Sequence, residues 1–428
     1  MRLLYTLIWL LFLPFALLRL YWRGAKEPGY RQHIAERLSL FPSYRAKPTI
    51  WLHAVSAGET RAAEPLIRAL LAEYPHHHLV LSHMTATGRA TAAQLLADLQ
   101  ERITQTWLPY DLPLFSRRFL QHYQPQCGIL IETEVWPNLL ASAQQLNLPM
   151  ALVNARLSEK SLRKALRLPG LLLPAAQSLT AVAAQSHDDA ARLQQLGVTS
   201  AGVTGNMKFD VQPPALAEIR GANWRRAFAE RPVFLCASTR EGEEALLLDA
   251  LAEFLPLYPE NLLVILTPRH PQRFDQVAQL LTQKQFRFVR RSEFDDNAEL
   301  RISKDIQIIL GDSMGEMYQY YAACDLAFIG GSLMPLGGHN LIEACAMGKP
   351  VLIAKHTFNF AEITTQAISG GAALRVDGAR ELLQVVEHLL AHPEKITSMN
   401  QAALTFFQQH QGATQRTLDI LKPLLQVE

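Results

Sequence analysis

The chain opens on an uncharged, almost wholly apolar block, Leu3 to Leu18, slightly short of the roughly 20 residues a membrane-spanning helix needs. Arg19, Tyr21, Trp22, Arg23 and Lys26 follow it. This basic, aromatic flank predicts an uncleaved anchor over residues 1–23, crossing the bilayer with Arg19 snorkelling or lying in one leaflet, with the rest of the chain on the cytoplasmic side. A cleaved signal peptide is the competing reading. No small-x-small site follows the block, however, and most of the basic residues come after it. Residues 24–48, with Arg31, His33, Arg37 and Arg45, show little periodicity and read as a connector, either solvated or touching acidic headgroups.

From Thr49 the pattern changes to short apolar runs separated by stretches with helical spacing. Thr49 to Val55, Leu79 to Ser82, Gly128 to Ile131, Met150 to Val153 and Leu179 to Ala183 read as buried strands. Between them Ala62 to Glu73, Arg89 to Leu99, Leu114 to His122, Trp136 to Gln145 and Asp188 to Leu196 read as helices. The rhythm breaks at Asp210-Val-Gln-Pro-Pro-Ala-Leu216, which predicts a linker over 211–216 between domains at 49–210 and 217–428. A second strand series follows: Val233 to Ala237, Leu262 to Leu266, Phe286 to Val289, Ile306 to Leu310, Leu326 to Ile329 and Val351 to Ala354. The tail from Ala379 is helical, and its last helix, near Thr414 to Lys422, is a candidate to return to the first domain. The alternation predicts an α/β fold with two doubly wound, mostly parallel sheets enclosing a cleft.

Composition narrows the function classes. Lys and Arg number 41 against 39 Asp and Glu, a net charge of +2, so no field toward nucleic acid is implied. The four cysteines, Cys127, Cys236, Cys324 and Cys345, have no metal-knuckle spacing, and three of them lie in or beside apolar runs, which suggests small core residues in a reducing compartment. His76-His77-His78, Asp111 and Asp295-Asp296 read as loop residues, and no pattern calls for a metal or a cofactor.

Chemistry concentrates at predicted strand ends, where doubly wound sheets bind ligands. After Leu326 to Ile329 the chain passes Gly330, Gly331, Gly337 and Gly338 before a helix expected near Asn340. Glycines permit close backbone approach, and a helix N-terminus attracts phosphate. Glu343, one turn in, is placed to accept from ribose hydroxyls. Cys236-Ala-Ser238-Thr239 offers hydroxyls, Pro268-Arg269-His-Pro271 a preorganised guanidinium, and Gly311-Asp-Ser-Met-Gly-Glu316 a turn capped by Asp312 or Ser313. In the first half, Ser56-Ala-Gly58-Glu59 ends the first strand. Glu59 is a candidate general base kept ionised by the helix dipole, or else a capping glutamate. Alternation places Glu132 and Glu134 on one face, with Arg156 and Lys208 as candidate cations, for chemistry or for a structural ion-pair network.

Taken together, His53-Ala-Val-Ser-Ala-Gly-Glu59, Met84-Thr-Ala-Thr-Gly-Arg89, Glu132-Thr-Glu-Val-Trp-Pro-Asn138, Asn154-Ala-Arg156, Gly205-Asn-Met-Lys208, Pro268-Arg-His270, Gly315-Glu316 and Gly337-Gly-His-Asn340 with Glu343 resemble the 3-deoxy-D-manno-octulosonic acid (Kdo) transferases of lipopolysaccharide synthesis. The resemblance spans nearly the whole chain. It implies a GT-B glycosyltransferase at the inner (cytoplasmic) membrane, with CMP-Kdo as donor and a lipid A precursor, lipid IVA, as acceptor, inverting and metal-independent. By the same resemblance Glu59 is the base. Pro268, Arg269, Met314, Gly315, Glu316, Gly338, His339, Asn340 and Glu343 hold CMP, while Ser56, Gly58, Glu132, Glu134, Arg156, Lys208, Ser238 and Thr239 are candidate contacts to Kdo or acceptor. One departure is Leu341-Ile-Glu-Ala-Cys345, where family members often carry prolines. The rival enzymatic reading is a UDP-sugar GT-B transferase or a related epimerase; the non-enzymatic one is an anchored nucleotide-binding scaffold.

Overall fold

The computed structural model describes residues 1–44, 47–199, 201–256, 258, 261–294 and 301–425. Arg45 of the connector and the Asp295-Asp296 pair lie outside them. The chain forms two compact units, Met1–Val211 with His410–Glu428, and Gln212–Gln409.

The first unit begins with α1 (Arg2–Lys26), continuous through Pro14. Its stretch Arg2–Ala25 is long and apolar enough to cross a membrane, with mean hydropathy 2.1. A Rossmann-like succession follows: β1 (Thr49–His53), α2 (Ala57–Glu73), β2 (His78–His83), α3 (Ala86–Leu95), β3 (Ile103–Trp107), α4 (Pro113–Tyr123), β4 (Cys127–Ile131), α5 (Pro137–Gln145), β5 (Met150–Ala155), α6 (Glu159–Ala165), α7 (Pro169–Gln177), β6 (Ala181–Ala184), α8 (His187–Gln195) and β7 (Ala201–Val203). All pairings are parallel, in the order β3-β2-β1-β4-β5-β6-β7. Successive strand residues feed opposite faces. Trp51, Val80, Leu130 and Leu152 pack in one core, while Ile50, Leu52, Leu81, Ile129 and Val153 pack in the other.

The second unit continues with α9 (Ala217–Ala227), β8 (Val233–Thr239), α10 (Glu243–Phe254), β9 (Leu263–Pro268), α11 (Phe274–Gln283), β10 (Phe288–Arg290), β11 (Ile308–Leu310), α12 (Met317–Ala323), β12 (Leu326–Ile329), α13 (Ile342–Ala346), β13 (Val351–Ile353), α14 (Ala361–Ser369), β14 (Ala373–Arg375), α15 (Ala379–Leu390) and α16 (Pro393–Gln409). Its sheet, also parallel, has the order β10-β11-β9-β8-β12-β13-β14. Phe234, Cys236, Val264, Leu266, Leu326 and Phe328 meet Leu247, Leu251, Leu281 and Val386 in one core. All four cysteines are buried and free.

The final helix, α17 (Ala413–Leu425), packs Leu418, Leu421 and Leu425 against the first unit's core. Asp210 holds it there, its carboxylate accepting from the N–H groups of Gly412 and Thr414. The connector is solvated only in part, with Arg31 and His33 exposed. Its centre forms two short turns that bury Tyr30, Glu36 and Arg37, because Glu36 accepts from the Trp107 N–H and from Arg89, each at 2.9 Å.

Candidate functional site

In the first unit the strand order reverses between β1 and β4, which are direct neighbours, so the loops leaving their C-terminal ends diverge and open a crevice. Those loops carry Ser56-Ala-Gly-Glu59 and Glu132-Thr-Glu134. Ser56 is the N-cap of α2, its hydroxyl accepting from the Glu59 N–H at 3.4 Å. Glu59 Oε2 in return accepts from the Ser56 N–H at 3.3 Å and from the Val55 N–H. The capping role and the catalytic candidacy therefore belong to one side chain. Gly58 is exposed on the first turn.

The expectation that the helix dipole keeps Glu59 ionised is overturned. Burial first, then the nearby Glu132 and Glu134, push its pKa up from 4.5 to about 8, against the opposing hydrogen bonds from Val55 and Ser56. Desolvation and two like charges outweigh one helix terminus. Strand alternation does not carry on through Glu132, whose backbone is left-handed. This residue sits just past β4 with φ of 65°, its N–H bonded to Val153 O and its carbonyl accepting from the Arg156 N–H at 3.2 Å. Lys208 closes on it, Nζ to Oε1, at 2.9 Å. What brings Lys208 there is Asn154, whose Oδ1 accepts from the Met207 N–H at 3.0 Å. Glu134 accepts from Trp136 Nε1 at 2.8 Å, yet burial still raises its pKa.

In the second unit the reversal falls between β8 and β12. Gly330 lies so close to the end of β8 that a Cβ would sit 2.5 Å from Ser238 O. The organiser of this glycine loop is Glu243, a fully buried carboxylate to which the sequence pattern assigned no role. It accepts from the N–H groups of Gly331 (2.6 Å), Leu333 (2.9 Å) and Arg240 (2.8 Å). Gly337 and Gly338 have φ of 93° and 73°, and the Gly338 N–H closes the loop on Gly331 O at 2.7 Å.

Around this loop the other candidates divide. Arg269, following Pro268 at the end of β9, donates its N–H to Thr239 O at 2.9 Å. Burial first, then the nearby Arg269 and Arg240 with a smaller contribution from His270, press the His339 pKa down to about 4, leaving it neutral. Glu316 pairs with Arg291 at 2.9 Å, between the exposed Met314 and Gly315 on one side and α12 on the other. Asn340, two residues before α13, accepts from the Ile342 N–H at 3.1 Å, and its Nδ2 faces Glu343 Oε1 at 3.4 Å.

Three expectations need correction. Thr239 does not offer its hydroxyl to a ligand: it is fully buried and donates to Glu244 at 3.1 Å. Ser238 stands beside it with φ of 56°. Neither Asp312 nor Ser313 caps α12, because Asp312 accepts from Ser292 at 2.7 and 2.9 Å and the Ser313 hydroxyl meets Tyr320 at 2.8 Å. The helix expected near Asn340 begins at Ile342 and is five residues long, too short to sum much dipole.

Residues 32–211 match the family model described as 3-Deoxy-D-manno-octulosonic-acid transferase (kdotransferase). Residues 245–405 match Glycosyl transferases group 1. The 3-deoxy-D-manno-octulosonic acid transferase of Bordetella pertussis is 46% identical over 90% of this chain and 89% of its own length. The chain belongs to the Kdo transferase family. The Haemophilus influenzae Kdo transferase is 36% identical over 99% of both chains. A glycosyltransferase from Rickettsia africae has a similar fold, with a TM-score of 0.60 at 14% identity, over 90% of this chain and all of that one. So does the UDP-GlcNAc 2-epimerase of Neisseria meningitidis, with a TM-score of 0.61 at 15% identity, over 88% of this chain and all of that one. At such identities the likeness is one of fold, and the chain is a GT-B glycosyltransferase of the Kdo transferase family.

Proposed function

We propose that the chain transfers Kdo from CMP-Kdo to the lipid A precursor lipid IVA in lipopolysaccharide inner-core assembly, with inversion at the anomeric carbon and with Glu59 as general base. The observation that carries the mechanism is the Glu59 carboxyl, at the switch point of its sheet, with a pKa of about 8 beside the Glu132–Lys208 pair. A base poised near the working pH is the most effective kind. In the reaction Glu59 takes the proton of the acceptor hydroxyl, that oxygen bonds to the anomeric carbon, and the bond from this carbon to the phosphate oxygen breaks to release CMP.

Donor binding falls to the second unit. A single phosphate needs less neutralisation than a pyrophosphate, and Arg240, Arg269 and Arg273, which together with the larger effect of burial lower the pKa of His270, supply positive potential there without a divalent cation. Pro268, Met314, Gly315, Glu316, Gly338, His339, Asn340 and Glu343 complete the proposed CMP site. Ser56, Gly58, Glu134, Arg156 and Ser238 remain proposed contacts to Kdo or acceptor. The apolar α1, with its basic flank, supports anchoring at the inner membrane with the catalytic units on the cytoplasmic side.

The test is Glu59→Gln assayed with CMP-Kdo and lipid IVA, together with a CMP titration. Turnover collapses while CMP affinity is retained; unchanged turnover removes Glu59 from the mechanism. Competition between CMP and UDP checks the donor, and a preference for UDP overturns it.

A further inference from the structure

The helix α1 is docked lengthwise on its own unit. Its shielded positions, Tyr5, Thr6, Trp9, Leu13, Ala16, Leu17, Leu20 and Gly24, recur at helical spacing, whereas Leu3, Leu4, Leu7, Leu11 and Leu18 face outward and are exposed. Near its start Asn138 Nδ2 donates to the Thr6 hydroxyl at 3.0 Å, and Trp9 packs on Tyr110 with ring centroids 5.7 Å apart. Near its end the Arg23 guanidinium lies 4.3 Å above the Tyr30 ring. Contacts from Thr6 to Arg23 run along ~26 Å of helix. This arrangement lays α1 along the domain with its outer leucines available to one leaflet.

Under the helix is a cavity of about 540 Å³, within the range of small-ligand pockets. Its wall is sharply divided by chemistry. Trp9, Phe12, Phe15 and Leu20 line it with apolar surface, while Arg19, Arg23 and Arg37 bring three guanidinium groups to it. Among the described residues none of the three has an ion pair within 4 Å. Arg37 is the decisive one. It is 1% exposed, stacks 4.0 Å from the Trp107 ring, donates from one Nη to Met84 O at 3.2 Å and leaves Nε buried without a partner. Its neighbour Glu36 is turned to Arg89 and the Trp107 N–H instead. A buried cation so poorly satisfied is costly unless an anion joins it.

The groove also adjoins the proposed base. Met84, whose carbonyl Arg37 holds, donates its N–H to Val55 O at 3.2 Å, and the Val55 N–H is one of the two backbone donors to Glu59. We infer that this groove is the acceptor's seat: an acyl chain lies along the inner face of α1, a phosphate of the same lipid sits on Arg19, Arg23 and Arg37, and its hydroxyl is thereby delivered toward Glu59. The inference rests on the reading that the acceptor is a phosphorylated lipid. A free phosphate accounts for the arginines but not for the aromatic wall. A bilayer phospholipid does not account for the adjacency to Glu59.

The full-length chain in detergent micelles tests this, with lipid IVA and its phosphatase-treated form as alternative acceptors. For the unaltered chain kcat/KM favours the phosphorylated lipid by tenfold or more. In Arg37→Gln, and in the double variant Arg19→Gln with Arg23→Gln, that ratio falls to about one. The surface double variant guards against misfolding of the buried one. Ala16→Trp, which fills the cavity, raises KM for acylated acceptor by tenfold or more but not for a deacylated, water-soluble one. If the unaltered chain discriminates and both arginine variants discriminate equally well, the groove is not the phosphate site. If these variants lose binding to phosphatidylglycerol vesicles while the acceptor ratio is unchanged, the arginines serve the bilayer and the inference falls. No transfer by the unaltered chain to either lipid overturns the lipid-acceptor reading itself, and the inference with it.

Discussion

The sharpest prediction concerns the proton on Glu59. With its pKa at about 8, only about a tenth of the free enzyme carries the basic form at pH 7. For a base that acts in the transition state, kcat/KM then climbs about tenfold per pH unit below 8 and levels above it. Glu59→Gln removes the base and keeps an oxygen to accept from Ser56 and Val55. On the alkaline plateau it loses about 10²–10⁴ in kcat/KM, the usual worth of general-base catalysis. Its profile lacks the limb, so the ratio of the two enzymes shrinks by about fiftyfold between pH 8 and pH 6. Kdo transfer to lipid IVA, followed by CMP release at subsaturating acceptor, measures this directly.

The same proton makes a stability signature with a definite sign. The folded pKa lies above the ordinary 4.5, so the folded state binds the proton more tightly, and stability declines as pH rises from about 4.5 to about 8. At ~1.4 kcal/mol per unit the ceiling is ~5 kcal/mol, and solvent screening at this partly exposed turn lowers it to about 2. Glu59→Gln has no such decline. It melts higher than the unaltered chain at pH 9 and no higher at pH 4. A wild-type limb near pH 4.5, or an activity ratio constant from pH 6 to 9, would refute the argument.

Neighbouring charges move the limb in opposite directions. Lys208→Met leaves Glu132 uncompensated and shifts it to higher pH, whereas Glu134→Gln removes a repelling carboxylate and shifts it lower; the two pH profiles side by side decide. Glu243→Gln places an amide among three backbone donors in a buried site, costing about 3 kcal/mol in urea unfolding and weakening CMP binding. Gly337→Ala puts a methyl 2.3 Å from Asn359 Nδ2 at a φ of 93°, so CMP affinity read by calorimetry falls tenfold or more. EDTA leaves transfer intact, and a loss restored by magnesium would contradict neutralisation of the leaving phosphate by the arginine cluster alone.

The amino-acid sequence by itself determined the two doubly wound sheets and the strand ends that bear chemistry. Central parallel strands are buried on both faces, so they must be continuous apolar runs, and each run read as a strand lies in a sheet. The strands that went unread, β3, β7 and β14, are all edges, where half-exposed positions such as Thr104 and Gln105 dilute the pattern. Glycines with left-handed torsions and polar residues after apolar runs were legible for the same local reason. What only the tertiary structure decided is which groups meet. The proton on Glu59 depends first on its burial and then on Glu132 and Glu134, brought to it by the β1–β4 pairing. The hydroxyl of Thr239 is withdrawn by Glu244. The glycine loop is held by Glu243, and Arg37 is buried under a helix that reads simply as an anchor. Periodicity encodes which face of an element is buried, but a pKa or a hydrogen-bond partner is set by distance through space, between residues far apart along the chain.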